Sequence, residues 1–254
     1  MNNPQKEHFE KIHDLYTTHY HDATSARFRE EFVYEPLFKG MDLNGKDVLE
    51  CASGGGANTL ALLKRFPKAR FCGCDISEAA CSDYRAETGC PAFWVDLTLP
   101  IAHDKLYDVV MVFGGIHHCA RNLPVVLDNI YKLLKPDGLF LMFEPNNQFF
   151  LEKLRKFWYR HDSFFESETE EALDHDDLLH MANSEGGESK FKAEMVQYLF
   201  GPAAFFVANS MIFRIPLWLK PIITPPLMLF ERIYNGLSGK CLYTNFLACW
   251  RKLP

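Results

Sequence analysis

Lys46-Asp47-Val48-Leu49-Glu50-Cys51-Ala52-Ser53-Gly54-Gly55-Gly56 decides how this chain is read. A short apolar run ends in three consecutive glycines, and a helical period follows from Ala57 to Phe66. Strand, glycine loop and helix form a nucleotide-type unit, because glycines let the backbone approach a ligand and the helix N-terminus offers unpaired N–H groups. Downstream the same alternation repeats. Ala69 to Asp75 reads as a strand, Ser77 to Thr88 as a helix capped by Ser77, Pro91 to Asp96 as a third strand and Tyr107 to Gly114 as a fourth. Leu123 to Leu134 is helical, and Leu139 to Glu144 is a fifth strand after the turn Pro136-Asp137-Gly138. Strands alternating with helices at this spacing mean a parallel, doubly wound α/β sheet.

Upstream, Gln5 to about Phe38 is helical with a break near His21 to Thr24, where Thr24 or Ser25 is expected to cap the second helix. Residues 1–40 then form a helical cap over the sheet, and 41–254 the main domain. The 254 residues suit one elaborated α/β domain, and 48% hydrophobic with 24% charged residues excludes wholesale disorder. With 27 Lys and Arg against 33 Asp and Glu, a net charge of −6, the chain makes a poor general binder of nucleic acid. The eight cysteines form no CxxC pair, and Cys72 and Cys74 share one face of a strand, so buried thiols are expected and no metal site. Met1 to Glu10 is polar without an apolar signal core, which points to a cytoplasmic, reduced protein.

The ligand follows from charge. A dinucleotide loop would read G-x-G-x-x-G, and here Thr59 takes the third glycine position. Glu50 at the loop would repel a pyrophosphate. Asp75 ends the second strand, where a carboxylate accepts from ribose hydroxyls, and Asp96 ends the third, where it can accept from an adenine amine. Three carboxylates at successive strand ends suit a cationic nucleoside, and S-adenosylmethionine carries +1 and no phosphate.

These residues resemble the class I S-adenosylmethionine-dependent methyltransferases, especially their small-molecule branch. Val48 through Gly56 is similar to the family's first motif, Gly73-Cys74-Asp75-Ile76-Ser77 to its second-strand acidic motif, and Trp94-Val95-Asp96 to its adenine motif. Asp108-Val109-Val110 through Ile116-His117-His118 resembles the fourth-strand motif, and Leu133 to Gly138 the turn before the fifth strand. The likeness covers residues 40 to 146. It implies a Rossmann-like seven-stranded sheet with the last strand antiparallel, Lys190 to Leu199 and Cys241 to Trp250 supplying strands six and seven. It also implies S-adenosyl-L-methionine as cofactor, held by Glu50, Ala52, Ser53, Gly54, Gly56, Asp75, Ile76, Trp94, Asp96, Leu97 and Phe113. In the N-terminal cap, Tyr16, Tyr20 and Arg27 either close over the methionine end or are ordinary cap packing. Ala52 replaces the usual first glycine of the loop, which is tolerable at negative φ.

Methyl transfer from a sulfonium is an in-line displacement, so the protein aligns, excludes water and, for a protonated nucleophile, adds a base. His117 and His118 follow the fourth strand, and either can be that base, with packing or capping as the alternative for His118. Glu144, beside Asn146, either orients or deprotonates an amine or hydroxyl acceptor or caps the helix expected from Asn147. His175 and His180 lie in an acidic stretch, 161–189, that reads as a solvated helix face and loop.

Residues 201–240 form an insertion between strands six and seven that is rich in aromatic and aliphatic residues and prolines, with bases at Arg214, Lys220 and Arg232. It reads either as a peripheral membrane contact or as a lid or homodimer surface. Both imply a small apolar or amphiphilic substrate and a hydrophobic pocket formed with the N-terminal helices. The expected activity is therefore methylation of a hydroxyl, amine or carbon of such a molecule. An RNA or protein methyltransferase and a non-catalytic cofactor-binding partner are the alternatives.

Overall fold

The computed structural model describes residues 22–160, 171–184, 189–201 and 215–254. Tyr16 and Tyr20, the first N-terminal helix, and 202–214 of the insertion lie outside them. The strands are β1 (Asp47–Cys51), β2 (Arg70–Asp75), β3 (Ala92–Trp94), β4 (Tyr107–Phe113), β5 (Leu134–Pro145), β6 (Phe191–Leu199) and β7 (Asn245–Lys252). They form one seven-stranded sheet in the order β3-β2-β1-β4-β5-β7-β6. β7 is antiparallel to both neighbours, and the β1–β5 block is parallel throughout. The order reverses between β1 and β4, the place where an open α/β sheet opens a crevice at its carboxyl edge.

Alternation along the central strands assigns each face its own core. Leu49, Cys51, Val110, Val112 and Phe140 look to one side, where they meet Ile130 of the helix Leu123–Leu133 and Leu178 of the helix His175–Asn183. Val48, Val109, Met111 and Leu141 look to the other, where they meet Phe28, Phe32 and Leu62. The described part of the N-terminal cap is therefore built into the main core. Cys72 and Cys74 lie on a single face as expected, with Cys51 beside them, and the hydrogen bond with Cys51, together with burial, holds the Cys74 thiol well above its ordinary pKa.

Four local expectations change. The cap of the helix Ala23–Arg29 is Asp22, whose carboxylate accepts from the N–H groups of Thr24 and Ser25 at 2.9 and 3.1 Å, so neither of those residues is the cap. No helix starts at Asn147; the next begins at Glu152, and Asn146 instead ties down the chain before β7 by donating to the carbonyls of Lys240 and Tyr243. Pairing in β5 starts at Leu134, upstream of the turn residues, because Leu134 bridges Tyr107 across a bulge. His175 is no solvated residue. It is buried, and its Nε2 accepts from Trp250 Nε1 at 3.0 Å. Among the described residues no helix is long and apolar enough to cross a membrane.

Candidate active site

The helices are numbered in chain order: α1 (Ala23–Arg29), α2 (Ala57–Arg65), α3 (Glu78–Thr88), α4 (Leu123–Leu133), α5 (Glu152–Tyr159), α6 (His175–Asn183) and α7 (Lys220–Tyr234). The glycine loop joins β1 to α2. Gly54 and Gly56 both have positive φ, +51° and +82°, which L side chains adopt at a cost. A Cβ on Gly54 would meet nothing within 4 Å, so this backbone is open for a ligand to approach. Ser53 Oγ is buried and finds no hydrogen-bond partner among the described residues. The loop thus presents an unsatisfied hydroxyl and a bare backbone, which fits a polar nucleoside ligand.

Ala52 also has positive φ, +51°, contrary to the expected negative value. The strain is held in place by packing, since the Ala52 Cβ occupies the space a side chain on Gly115 would need, 2.6 Å from the ideal Cβ position there.

Glu50 is beneath the loop, not at its mouth. It shares the strand face of Val48 and is wholly buried, and α2 supplies its donors. Asn58 Nδ2 donates to Oε1 at 2.9 Å and Thr59 Oγ1 to Oε2 at 2.6 Å. Burial pushes its carboxyl pKa up to about 7 against the pull of those hydrogen bonds. Thr59 therefore stands at the third glycine position as a partner for Glu50, and its hydroxyl also meets Tyr84 Oη at 2.8 Å. Tyr34, from the cap, donates to Asn58 Oδ1 at 2.6 Å. Asn58, Tyr34 and Tyr84 are members of the site that the sequence reading missed; a buried strand-end acid needing donors was the available signal.

Asp75 sits at the end of β2 and clamps the loop. Its Oδ2 accepts from Gly54 N and its Oδ1 from Ser77 N, both at 2.9 Å. A carboxylate has about four lone-pair positions, so ribose hydroxyls can join these two donors. Beside it, Trp94 is pinned by a 2.7 Å bond from its Nε1 to the Ile76 carbonyl and leaves its ring half exposed. An indole face next to Ile76 is a platform for a purine. Asp96 accepts from Thr98 N and Oγ1 at 2.9 and 2.6 Å, closing a turn at the end of β3. The Leu97 side chain belongs to the core, and Asn129 holds its carbonyl at 2.9 Å. Arg27 is exposed on α1.

The third cluster lies at the ends of β4 and β5. Gly114, φ +72°, turns the chain out of β4, and half-buried Phe113 packs toward Tyr34 with ring centroids 6.3 Å apart. Glu144 is fully buried and caps the 3₁₀ turn Ile116–Asn122, not a helix at Asn147. Its carboxylate accepts from the N–H groups of Gly115, Ile116 and His117 at 3.0, 2.9 and 3.3 Å, and it faces His117 Nδ1 at 2.7 Å. Three backbone donors require an acceptor, which assigns the shared proton to His117 Nδ1 and leaves Nε2 as the basic nitrogen of the neutral ring. The His118 ring packs on that of His117, with centroids 3.9 Å apart. All this lies on one carboxyl edge, with the open glycine loop, Asp75 and Trp94 at β1, β2 and β3 and an oriented histidine at β4 and β5.

Residues 49–140 match the family described as "Methyltransferase domain". That match runs from β1 into β5 and takes in the glycine loop, Asp75 and the turn after β4. A curated relative, the tRNA N(3)-methylcytidine methyltransferase Mettl2 of Drosophila melanogaster, is 30% identical over 125 residues; the match spans 44% of this chain and 38% of that protein. Among solved structures, a SAM-dependent methyltransferase from Thermotoga maritima superposes with a TM-score of 0.62 at 15% identity, over 98% of this chain and 99% of that one. The N-methyltransferase NodS from Bradyrhizobium japonicum, solved with S-adenosyl-L-homocysteine, gives 0.54 at 12% identity, over 91% and 88%. Those two likenesses are of fold. S-adenosylmethionine is the cofactor of such methyltransferases, and the open Gly54, the buried Ser53 hydroxyl and the Asp75 carboxylate fit it.

Proposed function

We propose that the protein transfers the methyl group of S-adenosylmethionine to a hydroxyl, amine or carbon of a small apolar or lipid-like molecule, with His117 as base. The observation that carries the reading is the Glu144–His117 pair at 2.7 Å beside the nucleoside cradle. When bound, the cofactor supplies a methyl group already activated on a sulfonium. The protein's own work is alignment and proton removal. Glu144, held by three backbone N–H groups, fixes the imidazole orientation, and Nε2 accepts the proton of the attacking group. Loop residues Ser53 and Gly54 with Asp75 and Asp96 hold the nucleoside end, and Trp94 with Ile76 flanks the purine.

The apolar acceptor is supported by the chemistry of the insertion, and a membrane-borne acceptor goes with a peripheral seat for the protein. A second reading, RNA methylation, is favoured by the relatedness to a tRNA methyltransferase. Incubation with methyl-labelled cofactor and a total cell extract separates the two. Label recovered in the organic phase supports the apolar acceptor; label confined to the RNA overturns it.

A further inference from the structure

Helix α7 is built inside out. The residues it turns inward are Lys220, Thr224, Met228 and Glu231, all buried, while Ile222, Leu229 and Ile233 are 63, 57 and 69% exposed. Each inward polar side chain has a partner. Lys220 Nζ donates to Asp22 Oδ2 and to Ser25 Oγ of α1, and Glu231 Oε1 accepts from Gly201 N at 2.8 Å. Helix α5 repeats the inversion. Its Arg155 is buried, paired with Glu152 and donating to the carbonyls of Asn146 and Thr244, while Leu154 is 57% exposed, with Phe150 just before the helix equally so.

The two helices flank one segment. Phe150 N donates to Cys241 O at 2.9 Å on the α5 side, and Tyr243 Oη donates to Tyr234 O at 2.9 Å on the α7 side. That segment enters β7 at Asn245, opposite Pro145, so both apolar faces stand at the same carboxyl edge as Glu144 and His117. Charge sets this region apart. Residues 149–160 and 215–240 hold seven bases and two acids, in a chain of net charge −6. Both acids, Glu152 and Glu231, are turned inward. Arg232 and Lys240 lean on Glu31 and Asp176, while Lys153, Lys156 and Arg160 stand exposed next to the apolar residues.

We infer that α5 and α7 together form a docking surface for an anionic lipid bilayer, into whose interface their exposed apolar side chains insert. Outward apolar residues with an adjoining basic set, and no outward acid on either helix, are what an anionic interface selects. A second copy is the poorer occupant, because a two-fold pairing of this surface would set bases against bases. The inference rests on the reading of a membrane-borne acceptor, and adds the surface that meets the lipid.

Flotation of the full chain with phosphatidylcholine vesicles, with and without phosphatidylglycerol, tests it. Wild-type protein is expected to float with the anionic vesicles, weakly with the neutral ones, and to be released by salt. The double substitutions Leu229→Glu/Ile233→Glu and Phe150→Glu/Leu154→Glu, all at exposed positions, should each lower partitioning by about tenfold or more. Titration of the same preparations with S-adenosylmethionine keeps the two claims apart. No flotation with intact cofactor binding overturns the surface alone, whereas absent cofactor binding strikes the functional reading. Dimerisation of the wild type in sedimentation, abolished by the same substitutions and without flotation, would also overturn the surface by assigning it to a second copy.

Discussion

Asp75 holds the glycine loop by one oxygen and the start of α3 by the other, so its loss should be felt in ligand binding. Asp75→Ala is expected to weaken S-adenosylmethionine binding by about 1.5–3 kcal/mol, the range for hydrogen bonds to a charged group. Calorimetric titration of a folded variant reads this directly, and equal affinity would remove Asp75 from the cofactor site. At the other end, His117→Ala should lower turnover by on the order of 10²-fold while leaving cofactor affinity nearly intact. Wild-type activity should rise with pH as Nε2 loses its proton. Glu144→Gln tests the positioning role. It keeps the shape but weakens the anchor of His117 and the cap on Gly115 and Ile116, so it should shift the pH profile as well as lower the rate. A variant with an unchanged profile would mean that Glu144 only caps the turn.

At the scale of elements, β1 and α2 are joined by a buried acid. The Glu50 carboxyl lies near 7 in the folded protein against an ordinary 4.5, because desolvation disfavours its charge. Between these values the folded state binds more protons than the unfolded chain. The contribution of Glu50 to stability is therefore complete in acid and is lost as pH rises through about 7, a change of about 3 kcal/mol. Glu50→Gln should accordingly gain on wild type in denaturant titrations as pH goes from 5 to 8. Parallel stabilities at the two pH values would contradict a buried, titrating acid. The loop and the β4 turn are coupled in the same way through Ala52 and Gly115. Gly115→Ala drives a Cβ to 2.6 Å from that of Ala52 and should cost about 1–3 kcal/mol. In an Ala52→Gly background the cost should shrink by about 0.5 kcal/mol or more, which a double-mutant cycle measures. Strict additivity would show that the two residues do not share one space.

For the whole molecule, the sheet was legible because glycine, turn residues and strand–helix alternation are local signals, and the order of motifs at Glu50, Asp75, Asp96 and His117 places them on one edge. What escaped was non-local. Asp22 displaced Thr24 and Ser25 as a cap because its carboxylate also meets Lys220, some two hundred residues later. The roles of Glu50 and Glu144 depended on which donors the fold would stack against them, Asn58 and Thr59 for one and three successive N–H groups for the other. The insertion was recognised as apolar, but the outward aim of α7 could not be read from composition: Lys220 and Glu231 look like surface residues until their partners Asp22 and Gly201 are known. The central claim is a cofactor site built on the glycine loop and Asp75. Isothermal titration of the wild type and Asp75→Ala with S-adenosylmethionine tests it most directly. One site per chain, weakened by the substitution, is the predicted result, and the absence of binding to folded wild-type protein would contradict it.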